Sequence, residues 1–327
     1  AARFGLSFRD VRTSRLTHRD SAHARLAWVQ AITDGDLSRF DALMTPDTRY
    51  AAATVSDAVG PQAVIDIYQG VLDGFPGVVY TPLATVVDGD YAAVRYRAEG
   101  VNAGEFRGNP ATGNAAAWDG IFIMGFDCGR ISDMWNEIDQ LARMTALGTA
   151  KDVPVVRAML PGAAQAAPAS SSDANADADT DANAADCPPL SRREAEQVFF
   201  VYDEVWDTGE VSLLDGLFSP EAAASDPDGD GASLQQDIAG EVTAFRAAVP
   251  DLMDTADLVF SDGEFVVARW TGIGTMRGDY LGVPATGEPI AYTGITMLRL
   301  ECGRIAEAWT EFDAAALLDA IRADWRP

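Results

Sequence analysis

The phrase CGRISDMWNEID, which begins at Cys128, returns as CGRIAEAWTEFD at Cys302, 174 residues further on. Laying the chain on itself at that offset puts DGDYAAVRY (Asp88 to Tyr96) on DGEFVVARW (Asp262 to Trp270). It also puts GEFRGNPATG (Gly104 to Gly113) on GDYLGVPATG (Gly278 to Gly287). From Asp88 to Asp139 the match has no gap, and about 20 of 52 positions are identical. The same offset aligns Gly35 with Gly209, Pro46 with Pro220 and Pro76 with Pro250. A repeat of this length requires one fold written twice, so whatever architecture the first copy adopts the second must adopt too.

At 327 residues the chain has room for two such units, each burying its own core. The stretch GAAQAAPASSSDANADADTDANAADCPPLS between them is Ala, Asp, Ser and Asn, with almost nothing to bury, and reads as an extended acidic linker. The expected boundaries are a leader over 1–19, a first domain over 20–150, a linker over 151–191 and a second domain over 192–327. Fifty acidic residues against 24 basic ones give a net charge of −26. Such a surface repels phosphate backbones and anionic lipids, so neither nucleic acid nor membrane is an expected partner. No run is long and apolar enough for a membrane span, and the N-terminus lacks the apolar stretch of a secretory signal. The expected location is cytoplasmic. Three cysteines make no paired framework. Cys128 and Cys302 read as small buried thiols beside a turn, and Cys187 as an exposed, unpaired one.

Each copy carries the same pattern. Apolar residues at three- and four-residue spacing open it, broken at Asp34-Gly35 and at Thr208-Gly209. A second helical stretch follows, ending near DGFPGV and AAVPDL, and strand-like runs then continue to a tight Cys-Gly turn. Helices followed by a meander predict an α+β class, with the helices on one face of a curved antiparallel sheet.

GEFRGNPATG, a strand pair, and then GRISDMWNEID together resemble the SnoaL-like polyketide cyclase or ester cyclase family of the nuclear transport factor 2-like superfamily. The resemblance covers most of each copy. It implies two tandem cone-shaped α+β barrels, each a strongly bent sheet wrapped round a helix with an apolar pocket at the open end. It further implies ring closure by intramolecular aldol chemistry on a small hydrophobic carbonyl compound, with a carboxylate as acid and base and no metal or cofactor. The family's aspartate after the Trp strand falls on Asp139 and Asp313. A partner surface is implied as well, because members of the superfamily pair through their sheets. In this chain that means a pseudo-dimer within one chain or a homodimer between two.

The residues themselves leave more than one reading open. Trp135, Glu137 and Asp139 share one face of an extended strand, as do Trp309, Glu311 and Asp313. A Trp beside a carboxyl supplies the apolar surroundings that raise its pKa toward neutrality, as acid–base work requires. The competing role for Asp139 and Asp313 is to cap the helix that follows. Where family members often carry His, this chain has Asn102, Met134, Met276 and Ala308, and its two histidines, His18 and His23, lie far upstream. Asn102 can donate a hydrogen bond to a substrate oxygen and Met276 cannot, which favours the first copy as the active one. Arg95 and Arg269, matched in mid-strand, pair with a carboxylate of their own domain or reach a ligand. Trp118 and Tyr292, which also correspond, are expected to be pocket or core walls. DPDGDGASLQQD (Asp226 to Asp237) resembles a calcium loop, but Ser233 and Asp237 stand where it needs an apolar residue and a Glu, and no metal is expected. The alternative to an enzyme is a non-catalytic module on the same fold, binding a small ligand or a protein.

Overall fold

The computed structural model describes residues 27–52, 55–151, 190–220, 222 and 233–324, with the backbone alone at 55–57. The leader and nearly all of the linker fall outside these residues. So do His18, His23, Cys187 and positions 226–232 of the calcium-like loop.

In the first copy a helix α1 over residues 27–33 ends at Asp34-Gly35, where Gly35 takes φ 70°. A short helix α2 (Phe40–Leu43) leads to β1 (Met44–Ala52) and β2 (Val55–Val59). Helix α3 (Pro61–Gly74) begins with proline at its first position, where the missing N–H costs nothing. The meander β3 (Val79–Asp88), β4 (Tyr91–Val101), β5 (Ala115–Asp127) and β6 (Arg130–Ile138) follows, then α4 (Gln140–Ala146). The sheet order is β2-β1-β6-β5-β4-β3, antiparallel throughout except where β1 runs parallel to β6.

The second copy repeats this plan with α5 (Arg192–Thr208), α6 (Leu234–Ala248), β7 (Met253–Ser261), β8 (Phe265–Thr275), β9 (Pro289–Glu301), β10 (Arg304–Phe312) and α7 (Ala314–Ala320). Ser191 and Ser233 close capping boxes with Glu194 and Gln236 at the starts of α5 and α6. The sheet order is β10-β9-β8-β7.

The repeat extends to irregularities of the backbone. A bulge between Pro82 and Ala84 returns between Ala256 and Leu258, and such bulges bend a strand. The parallel pairing of Met44 with Ile131 returns as the bridge of Phe218 with Ile305. The twice-written Cys-Gly is a hairpin turn with positive φ at both residues: 49° and 81° at Cys128-Gly129, 51° and 76° at Cys302-Gly303. The cysteines themselves depart from expectation. Both are exposed, Cys128 is a free thiol, and Cys302 is disulfide-bonded. Disulfides persist in oxidising surroundings, whereas the cytoplasmic expectation assumes reducing ones. Among the described residues no helix is long and apolar enough to cross a membrane.

Nearly every residue of β5 is buried, so both of its faces are covered. Trp118, Phe122 and Met124 point into the first cone's own core, with Trp28, Phe40, Tyr68 and Tyr96. Ile121 and Ile123 point the other way. With Val86 and Ala93 they meet Phe260, Val267, Ile295 and Met297 of the second copy in one apolar cluster. The two sheets therefore pack back to back. Arg95 lies 4.9 Å over Trp309, and Arg269 lies 5.8 Å over Trp135, the same contact made in each direction.

Candidate functional site

The second copy encloses a cavity of about 630 Å³, within the size range of sites for multi-ring ligands. Its walls are aromatic: Phe199, Tyr202 and Trp206 from α5, Phe245 from α6, Trp270 from β8, and Tyr280 and Tyr292. Three hydroxyl and indole groups form a short polar line across the floor. Trp270 Nε1 donates to Thr296 Oγ1 at 3.0 Å, and Thr296 and Thr310 share a hydrogen bond of 3.0 Å. Gln236 adds an amide, and the charged lining is acidic, including Asp203, Glu241, Asp254 and Glu311, with no Lys, Arg or His among the described lining residues.

Asp203 on α5 and Asp254 on β7 are the chemically notable pair. Burial, reinforced by the neighbouring charges of Asp203, Asp207 and Asp257, pushes the Asp254 carboxyl up to about 7. Burial and Asp207 push Asp203 up to about 6. Asp254 Oδ1 is buried with no hydrogen-bond partner among the described residues, while the Asp254 backbone N–H donates to Asp207 Oδ1 at 2.6 Å. Two carboxyls near one another with no cation to neutralise them hold a proton at neutral pH. Desolvation by the surrounding walls also raises Glu241.

The first copy, at the same places, fills its interior. Tyr68 stands where the second copy has Val242, Phe122 where it has Thr296, and Tyr80 where it has Asp254. All three are buried. The phenols pack edge to face, Trp28 against Tyr68 at 5.2 Å and Tyr50 against Tyr68 at 6.1 Å. Asn136 is held between two of them, accepting from the Tyr96 hydroxyl at 3.1 Å and donating to the Tyr50 hydroxyl at 3.2 Å.

The family model for SnoaL-like polyketide cyclases matches residues 196–321, and the model for the SnoaL-like domain matches residues 26–134. The chain is two SnoaL-like domains in tandem. Among solved structures, IdmH, a proposed polyketide cyclase from Streptomyces antibioticus, is 25% identical with a TM-score of 0.36, covering 40% of this chain and 99% of its own. TsrD from Streptomyces laurentii is 22% identical with a TM-score of 0.38, covering 41% and 98%. A proposed SnoaL-like polyketide cyclase from a Jannaschia species is 22% identical with a TM-score of 0.38, covering 44% and 97%. No curated protein matches the sequence.

Within this SnoaL-like pair, most of the residues singled out from sequence stand outside the pocket. Trp135 and Trp309 belong to the cluster between the sheets. Glu137 accepts a hydrogen bond from Thr293 Oγ1 of the other domain at 2.6 Å, and burial pushes its carboxyl up to about 8. Glu311, by contrast, lines the second copy's cavity; it is buried, and its carboxyl is raised too, first by burial and then by the charge of Asp139. Arg95 pairs with Asp119 at 2.8 Å, and Arg269 with Asp257. The shared strand face is real; Trp135, Glu137 and Trp309 on it are turned to the partner domain, while Glu311 borders the cavity.

Asn102 has no capacity left for a ligand. Its amide donates to the Gly74 and Gly104 carbonyls and its oxygen accepts from Thr112. It therefore fastens the NPATG turn to the end of α3. Asp139 and Asp313 cap α4 and α7, accepting from the backbone N–H of Ala142 at 2.8 Å and of Ala316 at 2.9 Å. Burial nonetheless pushes both carboxyls up to about 6, and Asp139 also reaches the wall of the second copy's cavity. Trp118 is a core wall of the first cone, and Tyr292 lines the second. Sequence reasoning missed Asp203 and Asp254. The available signal was the repeat itself, since Asp254 is an acid where the first copy has Tyr80, and Asp203 one where it has Val29.

Proposed function

We propose that the second SnoaL-like domain is an acid–base catalyst acting on an uncharged, multi-ring carbonyl compound, with Asp254 as the proton-transferring group. The observation that carries this reading is an aromatic-walled cavity of about 630 Å³ holding a carboxyl raised to about 7, with an oxygen that no group among the described residues satisfies. An acid or base works best when its pKa lies near the operating pH. The charged lining is acidic among the described residues, which disfavours an anionic substrate by like-charge repulsion.

In the proposed step the Asp254 carboxylate takes a proton from the carbon next to a ring-bound carbonyl, leaving an enolate. The enolate carbon attacks a second carbonyl carbon of the same molecule, forming one C–C bond, and the protonated Asp254 returns its proton to the new alkoxide oxygen. The product is an isomer of the substrate, as ring closure of the kind named by the family model requires. The Thr296–Thr310 pair uses one hydroxyl proton between its two members and keeps the other to donate to a carbonyl oxygen. Asp139, a lining residue whose carboxyl is also raised, is the second candidate for the proton-transferring group. Asp313 serves as a helix cap. Two back-to-back domains of one chain, with the cavity on the second, form the proposed working unit.

The first half of the step is testable without the natural substrate. In D₂O at pH 7 the full chain should accelerate α-proton exchange of 2-acetonaphthone, followed by NMR. Asp254→Asn should lose about 10²- to 10⁴-fold of that acceleration, the range supplied by a positioned acid–base group. No acceleration, or full acceleration in the Asn variant, contradicts the reading.

A further inference from the structure

The carbonyl step uses one carboxyl of the second cone and leaves others on the cavity wall without a task. Asp203, Glu241 and Glu311 line the same space. Among the described residues no cation acts on Asp203, Glu241 or Asp254. Glu311 is only 7% exposed and makes no hydrogen bond or ion pair among the described residues, although the charge of Arg95 reaches it. The scaffold does not demand these acids. At the places of Asp203, Glu241 and Asp254 the first copy has Val29, Ile67 and Tyr80. Desolvated carboxyls gathered without a cation are costly and hold protons instead. A bound cation would take the place of those protons.

The walls suit a cation as well. Tyr292 stands edge-on to Trp270 at 5.5 Å and 84°, and to Phe245 at 5.9 Å and 86°, while Tyr280 lies at 73° to Phe245. Rings that line one cavity nearly at right angles form the sides of a box, the arrangement that receives alkylammonium groups. Asp254 and Glu241 both act electrostatically on Tyr202 and Tyr292, so acids and rings share one region of the cavity. Among the described residues the arginines lie over Phe106, Trp118, Trp135 and Trp309, none of which lines it.

We infer that the second cavity binds an aromatic organic cation, a substituted ammonium on a ring system, held by the carboxylates of Asp203, Glu241 and Asp254 among the rings of Tyr202, Trp270 and Tyr292, and that this ligand excludes the carbonyl compound. The binding stands on the cavity alone, and the exclusion rests on the proton-transfer reading of the same site.

The test is calorimetric titration of the full chain at pH 8, above the Asp254 value of about 7. Three probes share one ring and differ in charge: (2-naphthylmethyl)trimethylammonium, 2-naphthylmethanol and 2-naphthoate. The cation should bind about tenfold or more tighter than the alcohol, and naphthoate weakest. Asp203→Asn and Glu241→Gln should each weaken the cation about fivefold or more and leave the alcohol unchanged, which shows the cavity intact. Independently of any variant, the carboxyl NMR midpoint of Asp254 should fall by about one pH unit when the cation is bound. Asp254 faces Asp203 and Asp207 of α5, Asp257 of its own strand and the phenols of Tyr202 and Tyr292, with Arg269 held by Asp257. Saturating cation should also suppress 2-acetonaphthone exchange. Cation binding with these effects in a chain that shows no exchange would support the inference and remove the catalytic reading. Equal binding of cation and alcohol, full cation affinity in both variants, an unmoved Asp254 midpoint, or exchange that saturating cation leaves untouched would each overturn the inference, the last without harm to the catalytic reading.

Discussion

Gly294 and Gly120 show at single-residue scale how an aromatic ring is seated in each cone. A Cβ on Gly294 would lie 2.2 Å from Trp270 Cζ2, and one on Gly120 would lie 2.5 Å from Tyr96 Cζ. The two glycines are the same position of the repeat, each leaving room on the sheet for the ring of the neighbouring strand. Gly294→Ala should therefore force Trp270 toward the cavity and break its bond to Thr296, at about 1–3 kcal/mol, the usual cost of overpacking. Urea unfolding of the variant against wild type checks this, and an unchanged midpoint would contradict it. At this scale the sequence was partly legible. Asp139 and Asp313 could be read as caps because an Asp directly before a helix has an obvious partner in the third N–H. The raised carboxyl of Asp254 was not, since it depends on which groups β7 and α5 bring together across more than fifty residues of chain.

Strands β5 and β9 explain why the pocket residues were misplaced. Period-two alternation separates inside from outside only when one face meets water. Here the outward faces of β5, β6, β9 and β10 meet the other domain, so Glu137 is buried and Trp135 half-buried without either facing the pocket. Strand β1 escaped notice because Pro46 and a run of polar residues mask its pattern; it sits on β6 as the sheet's one parallel strand.

The buried interface carboxyls carry a pH dependence. Glu137 titrates at about 8 in the fold against an ordinary value of 4.5, so the folded state holds the proton more tightly. Stability from this group is complete below about pH 4.5 and is lost as pH rises through about 8. Thermal midpoints of the full chain should fall between pH 5 and pH 9. Glu137→Gln keeps the shape without the charge and should fall less, with its largest advantage at the alkaline end. Parallel curves for the two proteins would show that Glu137 does not titrate within the interface.

For the molecule as a whole, the duplication set the architecture and the differences between copies set the chemistry. Fold class, tandem order and the Cys-Gly hairpins were all legible because they are written twice. Which copy keeps a cavity was not, because that depends on volume. Tyr68, Tyr80 and Phe122 fill one cone, whereas Val242, Asp254 and Thr296 leave the other hollow. The back-to-back packing gives a further prediction. Residues 190–324 expressed alone would expose Phe260, Val267, Ile295 and Met297. The fragment should self-associate or melt well below the full chain, as light scattering and calorimetry would record. A monomer of undiminished stability would show the interface to be dispensable.

The central claim, that the second cone holds a proton-carrying acid at neutral pH, is tested most directly by carboxyl NMR titration of Asp254 in the full chain. The account predicts a midpoint near 7 that falls when Asp203→Asn removes a neighbouring charge. A midpoint in the ordinary aspartate range, about 4, would contradict it and leave the cavity without an acid–base group at that position.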